Sequence, residues 1–211
     1  FESVTTNGPS MLRRHIRPGD VLLVEGCTRV SAAIKYLTRS TWSHAALCVG
    51  PIPGRQEPDG EPHVLIEAEL GLGVISSPLS RHQTAHTRIC RPAALEPEDL
   101  ATITAFATSK IGEFYDVKNI VDLARYLLPQ PPVPMRFRRR MLALGSGDPT
   151  RFICSTLIAQ AFHTVQYPIL PRVEVIRQQG ATREAELLHE EILHIRHHSL
   201  FTPRDFDISP F

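Results

Sequence analysis

The chain has 211 residues, of which 42% are hydrophobic and 21% charged, and its formal net charge is +1. This composition is typical of a single globular domain and argues against wholesale disorder. The small net charge argues against a globally basic nucleic-acid binder, and no apolar run approaches the roughly 18 residues of a membrane span. Because the sequence begins with Phe1 rather than Met, we expect a trimmed or processed piece, whose compartment cannot be read from the sequence.

The apolar pattern predicts an α+β protein. An irregular N-terminal arm is expected over residues 1–16, one domain over 17–206 and a short tail over 207–211. The predicted elements of the first half are strands over 21–24, 43–49, 63–68 and 87–90, a further strand that begins at residue 74, and helices over 28–37 and 95–112.

The second half of the sequence is richer in proline and arginine. Its predicted elements are a helix over 119–128, a stiff proline-rich segment over 129–134, a cluster of arginines over 136–140, a tight loop over 145–149, a helix with apolar residues from 153 to 162, and a helical or mixed region over 184–198.

The four cysteines lie far apart in sequence and include no Cys-x-x-Cys pair. They are Cys27, Cys48, Cys90 and Cys154. A chain of this length does not need disulfide bonds, and the spacing suits no zinc site. We therefore expect most of them to be reduced, buried thiols, with Cys154 as the exception.

Cys154 follows a Gly/Pro-containing loop and stands at the start of a predicted helix. Unpaired backbone N–H groups and the helix dipole favour a thiolate at that position, and the same N–H groups can hold a developing oxyanion. Cys154 is therefore a candidate nucleophile. The alternative is a small hydrophobic residue on a core helix.

A nucleophilic thiol needs a base, and the base needs an orienting group. His44 begins a strand of small residues and is the candidate base, and Trp42 beside it is placed to shield the site from water. Glu67 ends an apolar strand, where an unpaired carboxylate is costly, and Glu69 is its rival on the same face. The alternatives are a structural histidine and a solvated strand end.

These residues belong to a series of short motifs that resembles a known family. The motifs are Pro18-Gly19-Asp20-Val21-Leu22, Ser43-His44-Ala45-Ala46, Ile66-Glu67-Ala68, Gly112-Glu113-Phe114-Tyr115-Asp116, Phe152-Ile153-Cys154-Ser155 and the tail Phe201-Thr202-Pro203-Arg204-Asp205-Phe206. In this order they resemble the YiiX/YebB-like group of the circularly permuted, NlpC-type, papain-like cysteine hydrolases. Lecithin–retinol acyltransferase is a more distant relative of that group.

The resemblance implies a permuted papain-like fold, with an antiparallel sheet or small barrel packed on the helix that bears the cysteine. It implies Cys154 as nucleophile, His44 as base and Glu67 as third member, with Tyr115 lining the cleft. Asp20 either supports the site or caps its turn. Relative to compact members of the group, the chain carries a Pro/Arg-rich insertion at about residues 117–150.

Three functions follow as alternatives. The first is hydrolysis of a peptide or cell-wall-peptide-like amide through a thioester. The second is lipid-directed acyl transfer or lipid ester hydrolysis, with peripheral membrane contact through Arg136, Arg138, Arg139 and Arg140; the alternative for these arginines is a solvated helix face. The third is an inactive binding module. We expect no nucleic-acid partner.

No cofactor or metal site is expected from the sequence. His194 and His198 are four residues apart, but no His-Glu-x-x-His signature accompanies them. They are expected at a solvated helix end, and His82 and His86 in a solvated loop.

Overall fold

The computed structural model describes residues 2–6, 9–69, 71–114, 153–170, 172–177, 189–194 and 201–211. One antiparallel sheet contains β1 (Glu2–Thr6), β2 (Val21–Glu25), β3 (His44–Cys48), β4 (Leu65–Glu69), β5 (Gly73–Ser77) and β6 (His86–Arg91). Its strand order is β1-β6-β2-β3-β4-β5, so among the described strands β1 and β5 are edges and the sheet is open rather than a closed barrel.

The helices are α1 (Pro9–His15), α2 (Arg29–Thr38), α3 (Pro97–Ser109), α4 (Ile153–His163) and α5 (Pro203–Asp207), with a 3₁₀ turn at Leu79–His82. A separate hairpin joins β7 (Arg172–Arg177) to β8 (His189–His194). The α+β class predicted from the sequence is confirmed. Within the described part of the chain, no helix has both the length and the apolar character needed to cross a bilayer.

Local sequence signals place the ends of the predicted helices. The Thr28 hydroxyl accepts a hydrogen bond from the Ser31 backbone N–H at 3.0 Å and caps the start of α2. Pro97 occupies the first turn of α3, where its missing N–H costs nothing, and two acidic residues follow it.

The sheet buries both of its faces. On one face Leu23, Ala45, Leu47 and Ile66 share a core with residues of α3 and α4, including Phe162. On the other face Leu22, Ala46, Cys48 and Leu65 pack with Leu12 of α1. Helix α4 contacts both β3 and β4. The small side chain of Ala45 suits this close approach, which brings the helix that carries Cys154 against the strand that carries His44.

The N-terminal region differs from the prediction of an irregular arm. Strand β1 pairs with β6 from Glu2↔Arg91 to Thr6↔Thr87, and Leu12 of α1 is only 2% exposed. An edge strand whose partner lies about 80 residues away leaves little local periodicity in the sequence, which is why the pattern was not visible.

The region over 184–198 also differs in part from its prediction. Residues 189–194 form a strand rather than a helix, because their backbone pairs with β7. The predicted helix over 119–128, the proline-rich segment over 129–134 and the loop over 145–149 lie outside the described residues.

Candidate active site

Three elements bring a thiol, an imidazole and a carboxylate together. His44 is the first residue of β3, Glu67 the central residue of β4, and Cys154 the second residue of α4. The ladder between β3 and β4 consists of the pairs Leu47↔Ile66 and Cys48↔Leu65. The pairing therefore stops before it reaches His44 and Glu67, and the site lies beyond the end of this ladder.

His44 and Glu67 form a short hydrogen bond. His44 Nε2 lies 2.5 Å from Glu67 Oε2, with the Glu67 side chain 1% exposed and that of His44 24% exposed. Of the two rivals predicted from the sequence, the structure places Glu67 rather than Glu69 against His44. Glu69 instead pairs with Arg81.

Three further side chains, from β5 and the 3₁₀ turn, contact the Glu67 carboxylate. Ser77 Oγ donates to Oε1 at 2.5 Å, Arg81 Nε lies 3.3 Å from Oε1, and His82 Nε2 lies 3.1 Å from Oε2. Burial alone raises a carboxyl pKa, but the hydrogen bonds from His44 and His82 outweigh it and hold the pKa of Glu67 well below its usual range. Glu67 is therefore ionised: it accepts hydrogen bonds from Ser77, His44 and His82 and forms an ion pair with Arg81.

Cys154 is 6% exposed, yet its environment favours the thiolate. Burial by itself raises a thiol pKa; the hydrogen bond with His44 and its positive charge lower the pKa of Cys154 below its ordinary value. The backbone N–H of Ala45 and the Ser155 hydroxyl, whose oxygen lies 3.9 Å from Sγ, act in the same direction.

His44 is the complementary half of this pair. Burial disfavours its charged form, but hydrogen bonds to Cys154 and Glu67 raise the pKa of His44 to about 10. A low thiol pKa beside a high imidazole pKa favours the thiolate–imidazolium form of the pair at neutral pH.

Among the described residues, the other three cysteines have no such partner. Burial raises the pKa of Cys48 to about 11 and that of Cys90 to about 12, whereas Cys27 is exposed. All four cysteines are free thiols. Cys154 is the buried cysteine among them whose pKa is lowered.

Of the other residues predicted near the site, the structure places Trp42 in the core around Cys154 and Asp20 away from it. Trp42 is buried in the same core cluster as Cys154, and its ring stacks on His86 with centroids 5.2 Å apart. Asp20 lies at the other end of the sheet, where its backbone carbonyl accepts from Cys48 N–H, about 13 Å along the strand from His44. Asp20 therefore caps its turn and does not contact the site.

Several predicted contacts lie outside the described residues. These are Tyr115, Arg136, Arg138, Arg139, Arg140 and His198. His194 falls within strand β8 rather than at a helix end.

The sequence prediction missed His82. It was expected in a solvated loop, but the 3₁₀ turn carries it to Glu67, and the residue is 9% exposed. Its neighbour Arg81 reaches the same carboxylate. Their sequence signal is weak because nothing local relates the segment after β5 to the middle of β4. His86, in contrast, is exposed as expected and bonds Glu25 at 3.2 Å, but it is the first residue of β6 rather than part of a loop.

The ligand atoms of His44, Glu67 and His82 lie within 4.8 Å of one another, as in a three-residue metal site. The 2.5 Å distance between His44 Nε2 and Glu67 Oε2 is that of a short hydrogen bond, and it is shorter than the separation expected of two ligand atoms bound to one ion. Arg81 already supplies positive charge to the same carboxylate. We therefore interpret the cluster as a hydrogen-bonded network.

Comparison with known proteins gives distant similarity only. The chain is 22% identical over 191 residues to the probable lipoprotein peptidase YaeF of Escherichia coli K12, covering 84% of the chain and 64% of that protein. It is 26% identical over 131 residues to the Holliday junction branch migration complex subunit RuvB of Helicobacter hepaticus, covering 60% of the chain and 38% of that protein. No protein-family model matches.

In both alignments the chain spans less than two thirds of the relative's length. The similarity to YaeF supports a relation to peptidase-like hydrolases.

Proposed function

We propose that the chain is a cysteine-dependent hydrolase of amide bonds, with Cys154 as nucleophile, His44 as base and Glu67 as the group that orients His44. One observation carries the proposal: the His44 imidazole lies 2.5 Å from the buried Glu67 carboxylate and is also the group that lowers the pKa of the Cys154 thiol. A buried thiol without such a partner is inert, as the raised pKa values of Cys48 and Cys90 illustrate.

The chemistry follows from this pair. The Cys154 proton resides on His44, and the thiolate attacks the amide carbon, which moves the carbonyl π electrons onto oxygen. Backbone N–H groups at the start of α4, including that of Cys154, are placed to hold the oxyanion. His44 then gives its proton to the nitrogen as the C–N bond breaks. Water, deprotonated by His44, hydrolyses the resulting thioester.

We propose further that the fold is the permuted papain-like, NlpC-type fold that the sequence motifs imply. The strand that bears the histidine precedes the helix that bears the cysteine in the chain, which is the permuted order. The packing of α4 on β3 and β4 of an antiparallel sheet supports the same assignment.

The comparisons favour an amide over the other substrate classes. YaeF is named a probable lipoprotein peptidase, and a thiol–imidazole–carboxylate set suits peptide cleavage. Lipid-directed acyl transfer depends on an arginine segment outside the described residues. The name of RuvB refers to a DNA junction, for which a chain of net charge +1 has no global electrostatic attraction.

The first test is alkylation of the folded protein by iodoacetamide between about pH 4 and pH 9, with each cysteine followed by mass spectrometry. We expect Cys154 to react fast near pH 6, where exposed Cys27 reacts slowly. His44→Ala should abolish the difference. His63→Ala is the matched control, because His63 is a partly buried histidine that bonds Glu57 and Ser76 but not Glu67.

If Cys154 reacts no faster than Cys27 at pH 6, the nucleophile assignment is wrong and the inactive binding module is favoured. If Cys154 is activated, the next measurement compares a peptide amide with an ester of the same acyl group. Faster cleavage of lipid esters in the presence of anionic vesicles would replace the amide proposal with the lipid-directed one.

A further inference from the structure

Two histidines share one oxygen of the buried carboxylate. His44 Nε2 lies 2.5 Å and His82 Nε2 3.1 Å from Glu67 Oε2. Their rings are tilted by 41°, with centroids 5.9 Å apart, so they approach the oxygen side by side without stacking. Since Glu67 is ionised and can only accept, both imidazoles donate an N–H to this oxygen.

The two oxygens of the Glu67 carboxylate have different partners. Ser77 and Arg81 contact Oε1, whereas only His44 and His82, among the described residues, contact Oε2. His82 therefore does not hold a separate part of the network. It competes with His44 for the oxygen on which the orientation of His44 depends.

A hydrogen bond to a carboxylate stabilises its charge and makes the carboxylate a weaker base. An oxygen that accepts two donors therefore binds each less firmly than it would bind one. This matters because the proposed reaction uses His44 twice, first to hold the Cys154 proton and then to release it to the leaving nitrogen. An imidazolium held too firmly by a carboxylate is a poor acid in the second step.

We propose that His82 is a positioning residue of the candidate active site, which donates to Glu67 Oε2 and thereby limits how firmly Glu67 holds the His44 imidazolium. This inference rests on the proposed function. Among the described residues, the charged and titratable groups that face the His44–Glu67 pair are Cys154 from α4, and His82 and Arg81 from the 3₁₀ turn, with Glu69 of β4 bound to Arg81.

The test compares His82→Phe, which keeps a ring but removes the donor, with His82→Gln, whose side-chain amide reaches as far as Nε2. The protein is labelled with ¹⁵N-histidine, and the pH at which His44 loses its proton is measured by NMR, with His44→Ala used to assign the signal. His63→Phe is the control, a substitution of the same type at a histidine that does not touch Glu67.

In His82→Phe we expect the His44 midpoint to rise by about half to one pH unit, since one shared hydrogen bond to a charged acceptor is lost. His82→Gln should restore most of the wild-type midpoint, and His63→Phe should leave it unchanged. Where activity is measured, the alkaline limb of the pH–rate profile should move with the NMR midpoint.

An unchanged or lower midpoint in a folded His82→Phe variant would overturn the inference, as would equal behaviour of the Phe and Gln variants. If His82→Phe does not fold, His82→Asn replaces it, because its shorter amide does not reach Oε2. Failure of the proposed function is distinguishable: it appears as a slow Cys154 in the wild-type alkylation experiment, whereas the His44 midpoint is measured without any substrate or thiol reagent.

Discussion

The sheet carries two buried carboxylates, and their different partners give them different uses. Asp20 and Glu67 are each 1% exposed. Asp20 Oδ1 and Oδ2 each accept from the Arg91 guanidinium at 2.8 Å, and the Arg17 backbone N–H donates to Oδ2 at 2.7 Å. These donors keep their protons at any physiological pH, so the Asp20 charge is permanently matched.

Glu67 is held by groups of a different kind. Besides Arg81, the imidazoles of His44 and His82 and the Ser77 hydroxyl contact Glu67, and the nearer imidazole, that of His44, also interacts with the Cys154 thiol. A buried carboxylate held by a guanidinium fixes a fold, whereas one held by imidazoles also sets where a proton resides. The comparison teaches that partner identity, rather than burial, separates a structural carboxylate from a candidate functional one.

The largest effect is expected on the reactivity of Cys154 when the His44 imidazole is removed. In His44→Ala, Cys154 loses the charge that lowers its pKa, and burial then raises that pKa as it does for Cys48. The alkylation rate of Cys154 at about pH 6 should fall by at least about 100-fold. A rate within about threefold of wild type would show that another group activates the thiol.

A change at Asp20, the carboxylate held by a guanidinium, should lower the stability of the fold rather than the reactivity of Cys154. Asp20→Asn replaces the carboxylate that accepts two hydrogen bonds from Arg91 with a neutral amide, and we expect the free energy of unfolding in urea to fall by about 2 kcal/mol. The alkylation rate of Cys154 should stay unchanged. A slower Cys154 in folded Asp20→Asn protein would connect the two ends of the sheet and contradict their separation.

The pH dependence of stability should expose the proton shared by Cys154 and His44. The folded pair holds one proton from the lowered pKa of Cys154 up to the His44 pKa of about 10. The unfolded chain loses its His44 proton near 6.5 and its Cys154 proton near 9.0. Wherever Cys154 is ionised in the folded pair, both states hold one proton between 6.5 and 9.0, so the contribution of the pair is flat there; it falls as pH rises further toward about 10, because the unfolded chain has then lost both protons.

Cys154→Ala removes this compensation. Burial lowers the His44 pKa, whereas Cys154 and Glu67 raise it. In the variant Glu67 remains, and we expect its hydrogen bond to keep the His44 pKa above 6.5, so that the stabilisation declines as pH rises past that value. From about pH 7 to about pH 9 we expect the variant to lose roughly 1 kcal/mol of unfolding free energy relative to wild type. Parallel pH profiles of the two proteins in urea titrations would show that Glu67 alone does not hold the His44 pKa above 6.5.

The smallest effect is expected at the exposed cysteine. Cys27 lies on the surface and has no counterpart to His44 among its hydrogen-bonding neighbours in the described residues. Cys27→Ser should therefore leave both the unfolding free energy and the Cys154 alkylation rate at wild-type values. A loss of Cys154 reactivity in this variant would indicate that the two thiols act together.

Local signals in the sequence carried much of the fold. Apolar runs bounded by turn residues predicted the central strands, and the spacing of apolar residues predicted α2, α3 and α4, because both periodicities are properties of a single segment. The irregular arm over 1–16 and the mixed region over 184–198 were predicted wrongly in part. Strands β1 and β8 depend on backbone partners supplied by other segments, which no local pattern records.

The candidate site divides in the same way. The sequence by itself determined the chemical types: a cysteine at a helix start, a histidine at a strand start, and a glutamate in an apolar strand, where a buried carboxylate needs a partner. Only the tertiary structure chose Glu67 over Glu69, removed Asp20 from the site and brought His82 to the carboxylate. Those choices depend on strand register and on the fold of a turn after β5, and hydrogen bonds act over about 3 Å regardless of distance along the chain.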